Sequence, residues 1–133
     1  MKLTSSAVVL VLLLPTGCGG EENTFTEDYN KAVQPLNQLG EGLGAKPASF
    51  ERLATGTEQA RTNLAQLDPP DDARDEFDVL LDRLDEVTRD LTAVAKAERS
   101  EDIVRQRRAA KRLVESSNAV EEAETALKQA VES

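Results

Sequence analysis

Few side chains in this sequence can do chemistry, and their types exclude more than they offer. There is one cysteine, Cys18, and there is no histidine or tryptophan. A single thiol cannot close an intrachain disulfide. Without His, no zinc, haem or iron–sulfur site of the usual ligand types can be assembled from this chain alone. The missing imidazole also removes the commonest general base and the Ser–His and Cys–His nucleophile pairs, so Ser116 and Ser117 have no partner base in the sequence. The Glu-x-x-His pattern of helical di-iron sites is excluded for the same reason. Carboxylates are abundant, 25 Asp and Glu against 16 Lys and Arg in 133 residues, but abundance without a cleft is not acid–base machinery. No catalytic, metal or cofactor residue is assigned, and no enzymatic activity is expected. The formal net charge of −9 argues against nucleic acid, whose binding depends on neutralising phosphates.

Two charged clusters remain. Asp78, Asp82, Glu86 and Asp90 recur at i, i+4 spacing, where like charges on a helix repel by a few tenths of a kcal/mol per pair. They read either as a stripe for a basic partner or loosely held calcium, or as a solvated face eased by Arg74, Arg83 and Arg89. No loop has the calcium-binding EF-hand pattern, which favours the second reading. The run RQRRAAKR (105–112) puts Arg105, Arg108 and Arg112 on one helix face. Anionic lipid headgroups or acidic envelope polymers fit such a face. So does a surface of ion pairs against the acidic helices, which the acidity of the whole chain favours.

The surroundings of Cys18 carry the most specific signal. Lys2 supplies a positive start, and Ala7 to Leu14 (AVVLVLLL) is an unbroken apolar run. A bilayer-spanning helix needs about 20 such residues, so this run suits the h-region of a secretory signal peptide. Thr16 and Gly17 then lead to Cys18. The arrangement resembles the lipobox of bacterial lipoproteins, with Pro15 standing where that pattern has Leu and Leu14 one place early. The resemblance implies cleavage before Cys18 and diacylglyceryl transfer to its thiol. Two acyl chains suffice for stable anchoring. Residues 1–17 are then the signal peptide, and residues 18–23 (CGGEEN) a flexible tether.

From residue 24 onward the apolar residues step by three and four. The stripes are Phe25, Tyr29, Ala32, Leu36, Leu39 and Leu43; Phe50, Leu53, Thr57, Ala60, Leu64 and Leu67; Ala73, Phe77, Leu80, Leu84, Val87, Leu91 and Val94; and Ile103, Gln106, Ala110, Leu113, Ser117, Val120, Glu124, Leu127 and Val131. Each pattern lays one stripe along a helix, and no run alternates with period two. The spacing predicts helices over about 24–43, 48–67, 70–98 and 101–131, the last two forming a long hairpin. GEGLGAKPAS (40–49) is a loop. Asp68 is placed to cap the third helix with Pro69 and Pro70 in its first turn, and Ser100 to cap the fourth. Pro35 predicts a kink or a first helix in two pieces. The polar residues Gln106, Ser117 and Glu124 predict a poorly filled seam, lining a pocket or forming the frayed side of the hairpin. The expected fold class is all-α: one domain over 24–133, an antiparallel four-helix bundle.

The chain resembles small lipoproteins of Actinobacteria and their relatives, in which a lipobox-like Cys and a glycine-rich tether precede a helical body and a Leu-x-Pro-Pro turn introduces a long helix. Here that turn is Leu67, Asp68, Pro69 and Pro70. The resemblance implies lipid attachment at Cys18 and a place on the extracytoplasmic face of the cell membrane. Two functions are expected from different classes. One is a non-enzymatic interaction or structural module with an envelope protein partner. The other is a carrier that opens the bundle around a small apolar ligand. The oligomeric state is open.

Overall fold

The computed structural model describes residues 20–39 and 47–132. Residues 1–19, which include Cys18 and the segment read as a signal peptide, and residues 40–46 lie outside the described residues. Among the described residues four α-helices follow in chain order: α1 (Gly20–Leu39), α2 (Pro47–Leu64), α3 (Arg74–Ser100) and α4 (Ile103–Glu132), with a 3₁₀ turn at Asp71–Ala73 before α3. There is no strand among the described residues. The chain is all-α. At 27 and 30 residues, α3 and α4 run to about 40 and 45 Å, and a two-residue turn folds them into one long hairpin.

The helices pack in sequence order, α1 on α2, α2 on α3 and α3 on α4. Side-chain bonds set the directions. Arg99 near the end of α3 pairs with Glu51 near the start of α2, and Arg61 late in α2 lies 3.1 Å from Asp85 midway along α3. Helices α2 and α3 therefore run antiparallel, as the two-residue turn makes α3 and α4. Their shared core holds the apolar stripes: Phe77, Leu80, Leu84, Val87, Leu91 and Val94 of α3 are buried, with Phe50, Leu53, Ala60 and Leu64 of α2 against them. Phe25 of α1 meets Phe77 edge-on, ring centres 5.7 Å apart, a geometry that sets a positive ring edge against a negative ring face. Thr57, fully buried on the α2 stripe, satisfies its hydroxyl by donating to the Leu53 carbonyl at 2.7 Å.

Several boundaries differ from the sequence expectation. Helix α1 begins at Gly20, inside the stretch read as a tether. It continues through Pro35 as one helix rather than two pieces. Proline deprives the preceding turn of a hydrogen bond. In that turn Asn63 of α2 donates to the Ala32 carbonyl at 3.2 Å, a cross-helix bond that helps to hold the segment in place. Asp68 does not cap α3. Pro69 and Pro70 precede the 3₁₀ turn, and the Asp68 carboxylate takes the Arg74 guanidinium at 2.8 Å. Ser100 likewise ends α3 instead of starting α4. Its hydroxyl donates to the Ala97 carbonyl at 2.6 Å and accepts the Asp102 N–H at 3.3 Å. Asp102 is the cap of α4, its carboxylate accepting the Arg105 N–H at 3.2 Å. Between them Glu101 adopts φ 60, which lets the hairpin turn in two residues.

The fourth stripe also shifts at its start. Ile103 is 61% exposed, while Ala109 is buried in place of the expected Ala110. Ile103 opens α4 at the hairpin tip, and its neighbour Val104 is exposed there as well.

Candidate functional site

The acidic stripe on α3 is a solvated face. Asp78 and Asp82 are exposed, and Glu86 is bound to Arg83 at 2.9 Å. Arg74, expected to ease the stripe, pairs directly with Asp68 and Asp71 and acts on Asp78 of the stripe only through space. These carboxylates do not converge on a point, and among the described residues no group of three or more acidic, His or Cys side chains could hold a metal ion.

The basic run behaves differently from the ion-paired surface that the acidity of the chain favours. Arg105, Arg108 and Arg112 line one side of a groove of about 520 Å³ between α3 and α4, with Arg89 and Lys96 of α3 on the other. No Asp or Glu is among its lining residues, and among the described residues none of these five cations is in an ion pair. Arg89 was expected beside the acidic stripe. Asp85, one turn before Arg89 but not part of the stripe, is held by Arg61 of α2, and Arg89 lines the groove.

The local sequence explains the trough. On each helix four lining residues fall at i, i+3, i+4 and i+7: Arg89, Thr92, Ala93 and Lys96 on α3, and Arg105, Arg108, Ala109 and Arg112 on α4. That spacing gives one face of a helix. Ala93 and Ala109 sit where bulky residues would close the interface, and their small side chains leave the floor low. Thr88 and Thr92 complete the α3 side, their hydroxyls donating to the Leu84 and Thr88 carbonyls at 3.0 Å each. What remains is a trough lined by five cations, and guanidinium forks have the geometry to match phosphate or carboxylate oxygens.

A second site lies on the seam that the sequence marked as weak. Ser117 is buried, as is its neighbour Ser116, whose hydroxyl donates to the Leu113 carbonyl at 3.2 Å. Glu124 is half-buried and accepts a hydrogen bond from the fully buried Tyr29 at 3.2 Å. Burial pushes the Glu124 carboxyl up to about 7, against the Tyr29 hydrogen bond, which favours its charged form. Tyr29 itself is raised well above the usual phenol range, first by burial and then by the Glu124 charge and hydrogen bond. The seam is thus met by α1 at Glu124 and buried at Ser117, while Gln106 near the hairpin tip is half-buried. The sequence showed Glu124 on an apolar stripe but gave no sign that Tyr29 answers it.

No helix among the described residues is long and apolar enough to cross a membrane. No protein-family model, curated protein or solved structure matches this chain.

Proposed function

We propose that this chain is a lipid-anchored protein of the extracytoplasmic membrane face, a small lipoprotein of actinobacterial type, whose body is an antiparallel four-helix bundle working as a non-enzymatic interaction module for an envelope protein. The observation that carries the proposal is the placement of the single thiol, Cys18, after an eight-residue apolar run and the three residues Pro15, Thr16 and Gly17. A sequence built for export and thiol lipidation accounts for that placement, and for an acidic helical body with no histidine to do chemistry. The short apolar run supplies export, two acyl chains on Cys18 supply retention, and the helices present charged faces outward. The competing reading, a carrier of small apolar ligands, has less support, because the groove between α3 and α4 is lined by cations.

Detergent-phase partitioning of the full chain made in a bacterial host tests the reading. The wild type should enter the detergent phase with the membrane fraction, and Cys18→Ser should lose that retention. Equal partitioning of the two chains would overturn it.

A further inference from the structure

We infer that the groove between α3 and α4 is a binding site for a short chain of condensed phosphates. Its five cations stand on two facing helix rows. Arg105 and Arg112 are separated by a rise of about 10 Å, as are Arg89 and Lys96. Like charges brought together on both sides of a trough, with no carboxylate among them, repel one another and favour an anion between them. The chain as a whole is strongly acidic, so this concentration of unpaired positive charge is local and is set against the background field.

The density of charge selects the ligand. Five cations along about 10 Å call for several negative charges in the same length. An extended acidic peptide presents side chains to one face only every ~7 Å, which leaves most of the groove unpaired. A condensed phosphate chain carries a negative charge on every unit, and its oxygens accept bidentate bonds from guanidinium groups. A membrane surface fits less well, because the cations border a recess rather than a convex face. At the hairpin turn Glu101 and Asp102 place negative charge at one end of the groove, which favours an anion that stops short of the turn. This inference stands apart from the lipid anchor and does not depend on it.

The test is titration of inorganic tripolyphosphate into the full chain held in neutral detergent at about 0.1 M salt, read by calorimetry and by the rise in unfolding temperature that a ligand of the folded state produces. Two triple variants lose the same charge: Arg105→Gln/Arg108→Gln/Arg112→Gln in the groove, and Arg52→Gln/Arg107→Gln/Lys111→Gln outside it. The wild type and the outside variant should bind alike, and the groove variant should bind at least about tenfold more weakly for each arginine removed. Far-UV circular dichroism checks that the variants keep their helices, and Arg108→Gln alone gives a milder variant with the same expected direction. Absence of tripolyphosphate binding by the wild type would overturn the inference, as would equal weakening in both triple variants. It would also fail if vesicles of anionic lipid, compared with neutral ones, bound in a groove-dependent way that tripolyphosphate did not displace.

Discussion

The hydroxyl of Tyr29 on α1 donates to the carboxyl of Glu124 on α4 at 3.2 Å, joining residues 95 positions apart. It ties the first described helix to the last, in a structure whose other helix contacts run mainly between sequence neighbours. It also leaves an ionisable group half-buried, with its titration moved toward neutrality.

Stability should therefore depend on pH through Glu124. With the carboxyl raised from 4.5 to about 7, the folded chain holds a proton there that the unfolded chain releases at lower pH. The stabilisation from this group is complete below about pH 4.5 and is lost as pH rises through 7. Allowing for the partial exposure of the carboxyl, the loss is about 1–2 kcal/mol. Urea unfolding of wild type and Glu124→Gln at pH 5 and pH 8 isolates it, and the variant should lack that part of the pH dependence.

Tyr29→Phe should keep the ring packed near Phe25, whose centre lies 6.2 Å away, and remove only the donor. The expected cost is about 1 kcal/mol, larger where the carboxyl is ionised because a bond to a charged acceptor is stronger. The same urea series should show a greater loss at pH 8 than at pH 5.

Glu101 holds a left-handed conformation, φ 60, that favours glycine. Relief of that strain exceeds the added entropy of a glycine in the unfolded chain. Glu101→Gly should stabilise the hairpin by up to about 1 kcal/mol, seen as a higher denaturant midpoint with an unchanged slope.

Leu84 is fully buried midway along α3, whereas Val79 on the same helix is 44% exposed. Leu84→Ala leaves a cavity and should cost about 2–5 kcal/mol. Val79→Ala should stay within about 0.5 kcal/mol, and chemical denaturation of the pair measures the contrast.

The 3–4 stepping of Phe77, Leu80, Leu84, Val87, Leu91 and Val94 was legible in the sequence because each of these residues is buried by neighbours on both sides. Ile103 misled because periodicity puts a residue on a stripe without recording whether a neighbouring helix covers that end of it, and at the hairpin tip Ile103 is exposed. Ser100 and Asp102 are both good caps. Which one serves depends on the left-handed turn at Glu101, which propensity disfavours. The groove was half legible. Arg105, Arg108 and Arg112 share a face by spacing alone, but their lack of partners depends on where the acids are spent. Arg61 reaches Asp85 from α2, and Arg83 takes Glu86. Folding the chain about the Ser100–Glu101 bond sets Lys96 level with Arg105 and Arg89 level with Arg112. That register could have been read from the sequence once the turn was known.

The intact mass of the chain recovered from a bacterial membrane tests the central claim most directly. The account predicts a polypeptide that begins at Cys18, lacks residues 1–17 and carries a diacylglyceryl adduct on the cysteine, with no such adduct on Cys18→Ser. A wild-type chain with an unmodified thiol, or with its N-terminus elsewhere, would contradict it.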